Sequence, residues 1–254
     1  MTNKILSVLL VILFISGSTV KAQEVPVDSI TTTRELNFKY HALIIPAVLI
    51  GYGVAGLESK ALQSYNSEVR DEMTEHIDER MSLDDFTQYA PFLSVYGLNA
   101  LGIKGKNNLR DRTLILATSY LIMGATVNGI KSLTTELRPD GSSANSFPSG
   151  HTATAFMGAE FLRQEYKQVS VWYGITGYAV AAGTGLFRVY NDRHWLTDVA
   201  AGAGIGILST KIAYWVNPLM TKLLFKRQND LSSSAIVYPY YNGTLAGVGF
   251  SLNF

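Results

Sequence analysis

Phe147–Thr152 reads FPSGHT, a turn that runs directly into the apolar sequence ATAFMG. Two further polar segments flank it along the chain, KSLTTELRP at 131–139 and RVYNDRHWLTD at 188–198. Each segment adjoins an apolar stretch rich in Ala, Gly and Thr, whose small residues allow close helix packing. The pattern predicts an all-α helical bundle with several shallow or transmembrane helices and its polar residues collected at helix ends.

The composition of the 254-residue chain excludes several classes of protein. The net charge is +1 and only 16% of residues are charged, so nothing indicates a nucleic-acid partner. The chain contains no Cys, which excludes disulfides, thiolate metal sites and thiol catalysis. A mean hydropathy of +0.14 is high for a typical soluble enzyme and low for a thoroughly membrane-embedded protein.

The N-terminus has the pattern of a secretory signal peptide. Lys4 precedes the apolar run Ile5–Ile15, and small residues favour cleavage before Gln23. An uncleaved membrane anchor is the alternative, although eleven apolar residues are short for a span. The predicted organisation is a signal peptide at 1–22, an N-terminal helical region at 23–112, a core with the three polar segments at 113–216, and a tail at 217–254.

Within the mature chain, Thr113–Ile130 is the best candidate for a membrane span. Clusters of Lys and Arg around 104–112, 163–167 and 211–227 would mark the cytoplasmic side, which leaves the polar segments outside. A cleaved signal peptide conflicts with this orientation if His41–Leu57 and Gln88–Ile103 both cross. Either one of these two segments does not cross, or the N-terminal segment is not a cleaved signal peptide. Thr152–Leu162 is also short for a span, and charged residues follow it at once.

The tail predicts a short C-terminal β-hairpin. Val248, Phe250, Leu252 and Phe254 alternate with small or polar residues, and Asn242-Gly243 is a strong hairpin turn signal.

The polar segments supply what phosphoryl transfer without a metal requires. Lys131, Arg138 and Arg188 are three cations that can neutralise phosphate oxygens. Ser149 and Gly150 stand at a predicted helix start, where free backbone N–H groups favour an anion. No cluster of Asp, Glu and His with metal-ligand spacing is visible, so we expect no metal and no cofactor.

The two histidines of these segments suggest separate roles. His194 and Asp198 are four residues apart and face each other if the segment is helical. Asp198 can then hold one imidazole nitrogen of His194 while the other attacks phosphorus. His151, beside the anion site, is placed to protonate the leaving oxygen.

Together the segments resemble the signature of the type 2 phosphatidic acid phosphatase superfamily, which includes bacterial acid phosphatases and vanadium haloperoxidases. The resemblance covers about Thr113–Val216 and implies an all-helical fold and a phosphohistidine intermediate. It assigns the nucleophile to His194, with Asp198 as its partner, and the general acid to His151. The remaining matched positions form the phosphate cradle: Lys131, Arg138, Ser149, Gly150 and Arg188. Phe187 departs from the pattern, because the family usually has Ser before this arginine.

The leading interpretation is a phosphatase in the cell envelope, associated with the membrane and with its active site facing the periplasm. Its expected partners are the membrane and a lipid phosphate: phosphatidate, phosphatidylglycerophosphate, a polyprenyl diphosphate or a lipid A phosphate. The alternatives are a soluble periplasmic acid phosphatase of broad specificity, a vanadium haloperoxidase and a non-catalytic envelope protein. The sequence leaves the oligomeric state open.

Overall fold

A computed structural model describes residues 40–75 and 82–225, and the backbone of two strand segments at 234–241 and 246–253. These residues all belong to one compact unit, Leu36–Phe254. A short 3₁₀ turn, Tyr40–Leu43, leads into the first helix. The helices are α1 (Ile44–Glu58), α2 (Lys60–Thr74), α3 (Asp84–Thr87), α4 (Ala90–Ala100), α5 (Leu109–Leu133), α6 (Gly150–Tyr166), α7 (Val171–Tyr190) and α8 (Leu196–Phe225). The predicted all-α class is confirmed.

Helix α6 is the central helix, and it packs against α4, α5, α7 and α8. Its 17 residues give a length of about 25 Å, longer than the segment predicted from the sequence. Its charges face protein partners: the buried Glu160 pairs with Arg163 and Lys211, and the buried Glu165 pairs with Arg112. The charges that follow Thr152–Leu162 in sequence are therefore compatible with a helix inside the bundle, because each is compensated there.

Close contact between α6 and α8 depends on two glycines of α8. A Cβ at Gly202 would overlap the carbonyl oxygen of Ser149, and one at Gly206 would overlap that of Ala153. The same Cβ at Gly206 would lie 2.8 Å from the backbone nitrogen of Met157. Only glycine allows the two backbones to approach this closely.

Among the residues that the structure describes, three helical segments are long and apolar enough to cross a membrane: Tyr40–Glu58, α5 and α8. Only 22% of the most apolar stretch of α5 is buried inside the protein. Large apolar side chains on these helices point outward, such as Ile45 (66% exposed) and Leu121 (75% exposed). Exposed apolar faces on helices of this length require lipid around them, and the protein is membrane-associated.

The contacts of α1 and α4 fix the direction of both helices. Near its start α1 meets Gly204 of α8, and near its end Gly56 meets Thr197, so α1 runs towards the polar segments. Helix α4 returns, because its chain continues to Ile103, whose carbonyl accepts a 3.0 Å hydrogen bond from Tyr166 at the far end of α6. With only 11 residues, α4 measures about 16 Å.

Helices α1 and α4 therefore run in opposite directions along the bundle. Of these two segments, Tyr40–Glu58 has the length and apolar composition of a membrane span, whereas α4 is only 11 residues long. The start of α1 lies at the same end of the bundle as the basic loop 104–112, since His41 lines a cavity there with Arg163 and Lys211. We call this the basic end and the opposite one the site end. Residues 1–22, on which the alternative of a cleaved signal depends, lie outside the described residues.

The tail forms two antiparallel strands, β1 (Ser234–Tyr241) and β2 (Ala246–Asn253), with Val237 opposite Phe250. This pairing confirms the predicted hairpin. The predicted turn Asn242-Gly243 lies between the strands, outside the described residues.

Substitution of Gly206 tests the close contact of α6 and α8. We expect Gly206→Ala to destabilise the protein by about 1–3 kcal/mol, because the new methyl group meets backbone atoms that cannot move aside. The matched control is Gly183→Ala on α7, where a Cβ would meet no heavy atom within 4 Å. Thermal unfolding of the detergent-solubilised protein measures both, and equal melting temperatures would contradict the packing argument.

Candidate active site

A cavity of about 180 Å³ opens at the site end of the bundle. This volume is far above the roughly 10–15 Å³ that one water molecule needs, so the cavity has room for a phosphate group. Three of the predicted site residues, Arg138, His151 and Arg188, form part of its wall. The full lining is Ser82, Asp84, Asp85, Arg138, His151, Arg188, Asn191 and Arg193.

Two guanidinium groups in this wall carry unsatisfied donors. The Nε atoms of Arg138 and Arg188 are buried, and neither has a hydrogen-bond partner among the described residues. A buried donor without an acceptor costs about 1–3 kcal/mol. An anion in the cavity would satisfy both donors, which is the physical reason to regard the cavity as an anion site.

Lys131 is not among the residues that line the cavity. Its Nζ donates to the carbonyl oxygens of Asn145 and Ser146, the latter at 3.3 Å. Lys131 therefore holds the loop between α5 and α6 and adds positive charge near the cavity.

The helix start of α6 is built differently from the sequence expectation. Ser149 is fully buried, and its backbone N–H donates to the Asp198 carbonyl at 3.1 Å. Its hydroxyl lies 2.9 Å from that of Thr152. Gly150 is the first residue of α6, and the nearest heavy atom to an added Cβ would be Val127 Cγ1, at 3.8 Å. The donors left for an anion are the first-turn N–H groups from Gly150 onward.

His194 and Asp198 lie close together, as their spacing predicts, but they do not lie within one helix. His194 precedes α8, and Asp198 lies in its first turn. The His194 Nδ1 atom is 3.5 Å from Asp198 Oδ2 and 3.4 Å from Ser146 Oγ. Asp198 also accepts the backbone N–H of Trp195 at 2.9 Å, which anchors its carboxylate at the start of the helix.

Burial keeps the His194 imidazole neutral. The side chain is 2% exposed, and this desolvation lowers the pKa of His194 to about 4, although Asp198 acts in the opposite direction. A neutral imidazole whose Nδ1 faces Asp198 and Ser146 leaves Nε2 with a free lone pair. That nitrogen is a potential nucleophile at neutral pH.

Three residues of the site were not found by sequence reasoning. Ser146 is fully buried, donates to Asp198 and lies beside His194. Asp84 binds Arg188, and Asp85 Oδ1 is 2.9 Å from His151 Nε2. Ser146 immediately precedes the FPSGHT turn, but no spacing rule singles it out. The two aspartates belong to the acidic stretch Glu58–Asp85, whose amphiphilic pattern predicts surface helices.

The aspartates also revise the expectation that no carboxylate–imidazole cluster exists. One ligand atom from each of Asp84, Asp85 and His151 lies within 4.8 Å of the others. The chain brings them together across 66 residues of sequence, which local spacing cannot reveal. Arg188 already pairs with this cluster, through Asp84 and at 3.9 Å through Asp85. Because a cation is built into the cluster, we describe it as an ion-pair network.

A family model, two curated proteins and a solved structure are similar to parts of this chain. Residues 112–221 match the sequence model of the PAP2 superfamily. A Porphyromonas gingivalis protein named "Lipid A 1-phosphatase" is 39% identical over 163 residues, 61% of this chain and 37% of that protein. A Bacillus licheniformis protein named "Bacitracin transport permease protein BcrC" is 34% identical over 77 residues, 30% of this chain and 36% of that protein. The crystal structure of Aquifex aeolicus LpxE is 22% identical, with a TM-score of 0.46, and the match covers 59% of this chain and 94% of that one.

The chain spans little more than a third of the length of the two curated relatives. The family match contains all eight predicted site residues, whereas Asp84 and Asp85 lie outside it.

The burial of His194 predicts a pH dependence of stability. Its pKa in the folded protein, about 4, is below the ordinary value of 6.5, so the unfolded chain binds the proton first. The contribution of the neutral His194 side chain to the free energy of unfolding is fully present above pH 6.5. It is lost as the pH falls towards 4, and the loss is at most about 3 kcal/mol. We expect His194→Gln to reduce the slope of the unfolding free energy against pH between pH 4 and 6.5. His41→Gln, at an exposed histidine, is the control, and an unchanged slope in His194→Gln would refute the assignment.

Proposed function

We propose, from the premise that residues 112–221 belong to the PAP2 superfamily, that this protein is a phosphoric monoester hydrolase acting on a lipid phosphate or diphosphate. The observation that carries the proposal is the pair of buried, unsatisfied guanidinium donors of Arg138 and Arg188 beside the neutral His194. Cationic donors fixed around a cavity, next to a desolvated nucleophile, are suited to phosphoryl transfer.

In the proposed reaction His194 Nε2 attacks the phosphorus atom, and the bond from phosphorus to the lipid oxygen breaks. His151 donates a proton to that leaving oxygen. His151 then accepts a proton from water, whose oxygen attacks the phosphohistidine and releases inorganic phosphate. Asp198 and Ser146 hold the Nδ1 side of His194 throughout and stabilise the positive charge that develops on the ring.

In the proposed site, cationic side chains stabilise the negative charge of the phosphate group. Arg138 and Arg188 contact the phosphate oxygens with their forks, which suit bidentate binding. Lys131 adds positive charge near the cavity, and the first-turn N–H groups of α6 add donors. The proposal assigns no step to a metal or a cofactor.

The surroundings of the site favour a lipid substrate. The cavity opens at one end of a bundle whose outer helices expose apolar faces, so a lipid can present its head group while its chains stay in the bilayer. These faces disfavour the soluble acid phosphatase interpretation. One relative is named a lipid A 1-phosphatase, and a lipid A phosphate therefore takes first place among the four candidate lipids.

We propose further that the site end faces the periplasm. The basic end gathers Lys104, Lys106 and Arg110 beside Lys167 and Lys211, and such clusters stay in the cytoplasm. The chain then enters α1 from the cytoplasm. A signal peptide cleaved before Gln23 would leave that residue outside, so this orientation requires either that residues 1–22 are not such a signal or that one segment between Gln23 and the basic loop does not cross.

Substitution of the two histidines separates their proposed roles. We expect His194→Ala to abolish phosphate release from every substrate, because the covalent path is lost. His151→Ala is expected to lose about 10²–10⁴-fold on a lipid alkoxide and less on p-nitrophenyl phosphate, whose phenolate leaves more readily unprotonated. Acid quenching during turnover should trap protein-bound phosphate on the wild type and never on His194→Ala.

Phosphate trapped on the His194 variant would overturn the assignment of the nucleophile. Equal losses for both histidine variants on all leaving groups would overturn the division of labour.

Thiol labelling tests the orientation in this Cys-free chain. Ser142 and Lys104 are exposed residues at the site end and the basic end, respectively. We expect an impermeant maleimide to label Ser142→Cys in intact spheroplasts and Lys104→Cys only after lysis. The reverse pattern would place the site in the cytoplasm.

A further inference from the structure

The short helix α3 carries two carboxylates into the cavity from outside the family match. Asp84 is 1% exposed, and its carboxylate accepts hydrogen bonds from Arg188 and, at 3.0 Å, from Asn191 Nδ2. A second contact holds the other end of the helix, where the hydroxyls of Thr87 and Thr184 are 2.9 Å apart. A buried carboxylate is tolerated only when it is paired, so these contacts fix α3 against α7.

The neighbouring carboxylate is placed differently. The Asp85 side chain is 54% exposed, and its Oδ1 lies 2.9 Å from His151 Nε2. The same oxygen is 3.9 Å from Arg188 Nη1. Asp84 therefore acts as the anchor, while Asp85 stays at the open side of the cavity and can move away from His151 without breaking the buried pair.

We propose that Asp85 is a positioning residue for His151: it orients the imidazole and stabilises its protonated form until the leaving oxygen of the substrate replaces the carboxylate as the partner of Nε2. This inference rests on the proposed function, because it needs His151 to act as the general acid. It adds a residue from the N-terminal region to a proposed reaction whose other participants lie within 112–221.

The charges around His151 determine the direction of the effect. Burial and the nearby Arg188 of α7 lower the pKa of His151, whereas Asp85 and Asp84 of α3 act to raise it. Removal of the Asp85 charge leaves the lowering influences less opposed, so the pKa falls further. A general acid must be protonated to work. As the pH rises, the activity of the variant should therefore begin to fall at a lower pH than that of the wild type.

The first test is the pH profile of kcat/KM, which reports ionisations of the free enzyme. We expect Asp85→Asn, measured on a lipid phosphate, to move the alkaline limb to lower pH by about one unit. The control is Asp71→Asn, at an exposed carboxylate of α2 whose partner is Arg70, and its profile should superimpose on that of the wild type. A profile of Asp85→Asn that is scaled down at every pH without a shift would mean a merely structural role and would overturn the proposal.

The second test is a double-mutant cycle. Asp85→Asn should add no further loss in the His151→Ala background, because its effect passes through that imidazole. An additional loss there would overturn the inference, and so would wild-type activity that disappears in EDTA and returns with a divalent metal, since Asp85 would then be a ligand. Failure of the proposed function looks different: the wild type would release no phosphate, or His194→Ala would remain active.

Discussion

The close contact between α6 and α8 is the constraint on which the site depends. Gly202 and Gly206 let the two backbones meet, and Thr210 adds a 2.9 Å hydrogen bond to the Met157 carbonyl further along. At the site end this contact brings the Ser149 N–H to the Asp198 carbonyl. The FPSGHT turn and the His194–Asp198 turn therefore share one backbone hydrogen bond, and side chains from segments 48 residues apart, such as Ser146 and His194, can meet.

The Glu160 cluster and the two arginines of the cavity differ in how completely their polar atoms are hydrogen-bonded. Towards the basic end, Glu160 is saturated, since it accepts hydrogen bonds from Arg163, Lys211 and Tyr178. At the site end, Arg138 and Arg188 each keep a buried Nε donor that has no partner in the part of the chain that the structure describes. Saturated networks stabilise a fold, whereas unsatisfied donors around a cavity remain available for a ligand. This contrast is why the arginines, and not the equally buried Glu160 network, are assigned to phosphate binding.

The N-terminal helices complete the site although they lie outside the family match. Asn66 of α2 donates to the Thr197 hydroxyl at 2.8 Å, and Arg70 pairs with Asp192 at the same distance. Helix α3 adds Asp84 and Asp85 to the cavity wall. The turn that carries His194 is thus braced from two directions, by the core and by the acidic stretch that sequence reasoning interpreted as a surface.

The sequence by itself determined the helical class, the hairpin and the identity of the three polar segments, because apolar patterning, turn residues and motif spacing are local properties. It also placed His194 near Asp198, four residues apart. Tertiary structure alone decided that Ser146 joins this pair, that Lys131 bonds to the loop before α6, that α1 and α4 run in opposite directions, and that Asp85 meets His151. The last contact joins residues 66 positions apart, and such a contact arises from how helices pack, which no local pattern encodes.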